Sequence, residues 1–95
     1  MFGIKEARRA LDQIGIDIAA ESFAIDDVVV GMNVELEHGT RHPDLDVTGD
    51  DPVVSAKIAL AHLREFPDYY ERLQRMEDEA EAFMALAEDA NLGIV

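Results

Sequence analysis

Residues 25–39, "IDDVVVGMNVELEHG", decide the fold class. Val28, Val29 and Val30 are β-branched and favour a strand by propensity. "MNVELEH" alternates apolar and polar residues, which is a second strand signal. Against both, Ile25, Val28, Val29, Met32 and Leu36 recur at helical spacing. Asp26 and Asp27 suit a helix N-terminus, where unpaired N–H groups favour negative charge, and Gly39 suits its end. We read a helix over about residues 25 to 38. Gly31 inside it would either weaken the helix or admit a close approach by another backbone.

Outward from that stretch the signals are helical. Ile4, Ala7, Leu11 and Ile14 form one stripe, with charged residues on the remaining face, so residues 3 to 14 read as an amphipathic helix stopped by Gly15. "GTRHPDLDVTGDDP", residues 39–52, holds two prolines, two glycines and a run of aspartates, and reads as a loop. Asp51 is then a good N-cap and Pro52 a good first helical residue, because its missing N–H has no partner to lose there. Val54, Ile58, Ala61 and Leu63 or Leu60 supply an apolar face for a helix over 52 to 65. Pro67 ends it and opens a last helix over about 67 to 89. The stripe of that helix is Tyr69 or Tyr70, Leu73, Met76, Ala80, Phe83 and Leu86 or Ala87. "NLGIV", residues 91–95, reads as a cap and a loose end whose apolar residues can tuck onto the core. The expectation is a single all-α domain, residues 1–95: a small bundle of about four helices with one long acidic loop.

Composition narrows the function classes. The absence of cysteine excludes disulfides, thiolate zinc sites, iron–sulfur clusters and cysteine nucleophiles. A net charge of −13 on 95 residues argues against nucleic acid and anionic membranes as partners and favours cations or a basic protein surface. The plain account of the charge is a solvated acidic surface, suited to a high-salt cytoplasm; a DNA-mimicking surface is a lesser alternative. No signal-peptide pattern and no apolar run of spanning length is present, so the default is a soluble cytoplasmic protein. No catalytic triad surrounds Ser22 or Ser55, and no glycine-rich phosphate loop occurs.

Glu35 and His38 lie one helical turn apart. "AHLREF", residues 61–66, carries His62 and Glu65 at the same spacing in reverse order. On two facing helices these four side chains can converge on one divalent ion. Two carboxylates and two imidazoles suit zinc, iron, manganese or cobalt. The expectation is therefore a divalent transition-metal site at Glu35, His38, His62 and Glu65, with Glu37 and His42 as weaker candidates. Glu37 points away from Glu35 on a helix, and His42 with Asp44 and Asp46 would hold an ion weakly. A site filled by four protein ligands would support folding or assembly; an enzyme would need a metal-bound water and a base such as Glu37. The competing account is metal-free: histidine–carboxylate hydrogen bonds within an acidic interaction module or adaptor. Tyr69 and Tyr70 follow Pro67, and one ring is expected to seal the junction of the last two helices.

"GMNVELEHG" followed by "KIALAHLREFPDYYERLQRME" resembles a family of small uncharacterised domains of prokaryotes and large bacterial viruses. The resemblance covers about residues 24 to 79, and its matching positions are Glu35, Glu37, His38, Gly39, His62, Glu65, Pro67, Tyr69 and Tyr70. Residue 61 is Ala where the pattern often carries Asp before the histidine. The resemblance names no reaction, but it implies that these polar residues act as one constellation. Finally, Met32, Met76, Phe83 and Met84 exceed what one stripe conceals, which predicts a homodimer with the last helix in its interface.

Overall fold

The three valines are helical. A computed structural model, which describes residues 1–89, contains four α-helices and no strand among those residues. They are α1 (Ile4–Ile14), α2 (Ile25–Arg41), α3 (Pro52–Glu65) and α4 (Tyr69–Asp89), with single 3-10 turns at Ile18–Ala20 and Pro43–Leu45. The tail expected at residues 91–95 lies outside the described residues. Val28 and Met32, one helical turn apart, are both fully buried, while Val30 stays half exposed. Burial of that one face, not strand propensity, decides the segment. Met32 is thus core, not surplus apolar bulk for a dimer.

Capping is local and matches the residue types. Asp27 reaches back to accept from the Ala24 N–H at 2.9 Å, and Glu6 does the same from the Gly3 N–H at 3.0 Å. The Asp51 carboxylate accepts from the N–H of Val53 at 2.8 Å and of Val54 at 3.3 Å, with Pro52 as the first helical residue. α2 runs past Gly39 to Arg41 and stops just before Pro43, whose ring disfavours helix in the preceding residue. Gly39 therefore does not end the helix. It is buried, and a Cβ there would collide with the Asp46 carboxylate. The glycine lets the acidic loop fold back onto α2.

The core lies between α1, α2 and α3. Ala7, Ala10 and Leu11 of α1 meet Val28 and Met32 of α2 and Ala56, Ala59, Leu60 and Leu63 of α3. The buried face of α3 is rotated from the one expected: Ala61 is exposed, and Ser55 is buried instead. Ile4 is also nearly half exposed, so the α1 stripe is shorter than its sequence pattern. Two polar ties hold the ends. The Asn33 side chain pairs with the backbone of Phe2, accepting at 2.7 Å and donating at 2.9 Å. Arg64 of α3 reaches Glu21, ahead of α2, at 2.6 Å.

α2 and α3 pack side by side, as their periodicity predicts, because both are small where they cross. Gly31 of α2 faces Ala59 of α3, and the Tyr70 ring closes over the same spot. Among the described residues, α4 meets the core cluster through its first turns: Tyr70 is buried, and Tyr69 and Leu73 pack against the cluster. The rest of α4 projects, which gives the molecule a long axis of 52 Å against 28 and 19 Å.

Candidate functional site

A cleft of about 340 Å³ opens between the second half of α2, the end of α3 and the start of α4. Its walls include Glu35, His38, His62, Tyr69, Tyr70 and Glu77. Each is placed by helix spacing. Glu35 and His38 share one face of α2, His62 sits in the last turn of α3, and the tyrosines open α4. Pro67 and Asp68 turn the chain so that both rings fold back towards α2.

The contacts lining the cleft are aromatic, carboxylate–phenol and, between Glu37 and Arg41, ionic. The Tyr70 hydroxyl donates to Glu35 Oε2 at 3.0 Å. Burial, followed by the negative charge of Glu35 and this hydrogen bond, pushes the Tyr70 phenol well above the usual tyrosine range. The His62 ring stacks on Tyr69, with centroids 4.2 Å apart and planes 7° from parallel. It also meets Tyr70 edge-on at 6.2 Å, and the two tyrosines meet edge-on at 5.0 Å. His38 and His42 lie 5.8 Å apart between ring centroids at the outer rim.

This geometry corrects the metal expectation. No group of three or more His, Asp or Glu side chains is arranged to hold a metal ion among the described residues. The divalent zinc, iron or manganese site on Glu35, His38, His62 and Glu65 therefore does not form. The reason is in the packing. Glu35 is turned to the Tyr70 hydroxyl, His62 is stacked on Tyr69, and Glu65 is exposed and lies outside the cleft. The weaker candidates are also engaged elsewhere. Glu37 pairs with Arg41 one turn on at 2.7 Å. His42 is exposed, and its would-be partner Asp46 accepts from the N–H groups of Thr48 and Gly49, each at 3.0 Å. Those N–H groups, Gly49 first, hold the Asp46 carboxyl below the ordinary aspartate value. Nor, among the described residues, do carboxylates bond the histidine rings: His62 has tyrosine neighbours instead.

Six of the nine positions that carried the resemblance line this one cleft: Glu35, Glu37, His38, His62, Tyr69 and Tyr70. Gly39, Glu65 and Pro67 do not. Residue pattern alone missed Gln74 and Glu77, which close the cleft from α4. Their signal was present: both lie on the Tyr70 side of α4, four and seven residues on.

A second feature lies along α4. Met76, Phe83, Met84 and Leu86 are 58%, 58%, 41% and 67% exposed, so four large apolar side chains face solvent on one helix. Among residues 76–88 only Ala87 is buried. The same stretch carries Glu77, Asp78, Glu79, Glu81 and Glu88 and no Lys or Arg.

No curated protein and no solved structure matches the chain. A family model does match, over residues 7–79, which include most of α1, all of α2 and α3, the cleft and the first half of α4. The chain thus belongs to the family described as protein of unknown function, DUF5661.

Proposed function

We propose that this domain is a metal-free acidic interaction module, an adaptor whose docking element is the projecting length of α4. The carrying observation is the pairing of four exposed apolar side chains, Met76, Phe83, Met84 and Leu86, with five carboxylates and no cation. Apolar groups of that size on one helix face are an association surface. Their acidic flanks select the partner. A basic amphipathic helix or surface buries the apolar groups and neutralises the carboxylates together. A second copy of this chain would bring the same carboxylates face to face, on a molecule that already carries −13. The partner read from the chemistry is a basic protein, not nucleic acid. No described helix is long and apolar enough to cross a membrane.

The test uses the full chain and a designed amphipathic helical peptide of leucine and lysine, with a leucine–glutamate peptide as control. The basic peptide binds, binding weakens steeply with salt, and Phe83→Ser with Leu86→Ser abolishes it. The exposure of both residues leaves the fold of that variant intact, which far-UV circular dichroism verifies. Equal binding of the acidic peptide, or full binding by the double variant, overturns the reading. A dimer mass in sedimentation that reverts to monomer in the double variant would assign the face to a second copy instead.

A further inference from the structure

We propose that the cleft between α2 and α4 receives an arginine side chain of the partner docked on α4. This rests on the interaction-module reading and adds to it one partner residue, placed at the base of the helix. The cleft, at about 340 Å³, is large enough for one extended side chain and falls within the range of small-ligand pockets. Its charge is unbalanced. Glu37 is neutralised by Arg41 at 2.7 Å, which leaves Glu35 on one wall and Glu77 on the other without a cation of their own.

Glu35 is also fixed before any ligand arrives. The Tyr70 hydroxyl donates to Oε2 at 3.0 Å, which orients the carboxylate and leaves Oε1 free of any protein hydrogen bond among the described residues. Tyr70 is in turn wedged against Gly31 and Ala59, so the acceptor is held by the core and not by a mobile side chain. Aromatic faces complete the lining: Tyr69 and His62 are stacked 4.2 Å apart, and Tyr70 stands edge-on to both. A guanidinium is planar, stacks on aromatic rings and donates in a fork to a carboxylate, whereas an ammonium offers only a point charge. The arrangement of oriented carboxylate, second carboxylate and ring wall therefore fits arginine better than lysine. Glu77 belongs to the same acidic run that continues along α4, so a chain lying on the exposed face reaches the cleft without a gap.

The experiment is a titration of the ¹⁵N-labelled full chain with L-argininamide, with L-lysinamide and norleucinamide as comparators. Argininamide shifts the backbone resonances of Glu35, His62, Tyr69, Tyr70 and Glu77 in a saturable way, and norleucinamide does not. Glu77→Gln, at an exposed position, lowers the affinity about tenfold without altering the spectrum elsewhere. Absence of localised shifts, equal binding of lysinamide, or full affinity in Glu77→Gln overturns the proposal. Because the docking peptide contains no arginine, the two readings fail separately. Loss of argininamide binding alone removes the pocket and leaves the α4 face, whereas loss of peptide binding alone removes the face and leaves the pocket.

Discussion

Gly31→Ala pits helix propensity against packing, and the structure says which wins. In an isolated helix the change stabilises by about 1 kcal/mol, because alanine loses less backbone entropy than glycine. In this protein the added Cβ would lie 2.5 Å from Tyr70 Cε2, 3.0 Å from Tyr70 Cζ and 2.8 Å from the Ala59 Cβ. Carbon atoms rest at roughly 3.5–4.0 Å, so both neighbours must retreat by about 1 Å. Ala59 is fully buried on α3 and has nowhere to go. Tyr70 is the softer partner, but its movement breaks the hydrogen bond to Glu35, and a bond to a charged group contributes about 1.5–3 kcal/mol. Overpacking a close seam independently costs about 1–3 kcal/mol. The balance is a net loss of about 1.5–5 kcal/mol after the propensity gain. For a domain of this size that lowers the melting temperature by roughly 6 °C or more. Urea unfolding followed by far-UV circular dichroism measures the loss, and alkaline titration of tyrosine absorbance reports whether Tyr70 has left its site. A variant that melts higher than the parent, with the late-ionising tyrosine retained, would refute the close packing of α2, α3 and Tyr70.

Three further outcomes follow from single groups. Ser55 is fully buried and its hydroxyl has no hydrogen-bond partner among the described residues, so Ser55→Ala should stabilise by up to about 1 kcal/mol in urea unfolding; a clear loss would reveal a partner. Tyr70 titrates high in the folded state, so stability is intact below the unfolded tyrosine value of about 10 and falls as pH rises beyond it, where only the unfolded chain releases the proton. Tyr70→Phe should flatten that alkaline decline, and an unchanged decline would contradict the burial of the phenol. Asp46 titrates low, so its contribution is present above the unfolded aspartate value of about 3.9 and is lost as pH falls through the lower folded value. Asp46→Asn should make the acid limb of the stability curve shallower, and an identical limb would place the Thr48 and Gly49 N–H groups elsewhere.

Much of the fold was determined by sequence alone, because helical order here is written locally. Periodicity placed α1, α2 and α3, Asp51 with Pro52 started α3, and Pro67 separated α3 from α4 within the few residues that ridge spacing and capping can specify. The residues of the cleft were legible too, as a set of Glu, His and Tyr at one-turn spacings. Their chemistry was not. Spacing puts two side chains on one face of one helix, but it carries no information on how far helices rotate about their own axes when they pack. That rotation turned Ala61 outward and Ser55 inward, left Glu65 outside the cleft, and set His62 against Tyr69 instead of a carboxylate. Two glycines show the same limit. Gly39 reads as a helix stop, and Gly31 as either a weakness or a close approach by another segment, with no partner named; the structure makes both points of close approach and supplies the partners, Asp46 in one case and Ala59 with Tyr70 in the other. The exposed face of α4 belongs to this class as well: its apolar stripe is plain in the sequence, but only the tertiary structure shows that, among the described residues, Met76, Phe83, Met84 and Leu86 stay outside the core cluster. Local geometry is encoded by neighbours in the chain, whereas which faces meet, and which remain open for a partner, is settled by volume and contact across the whole molecule.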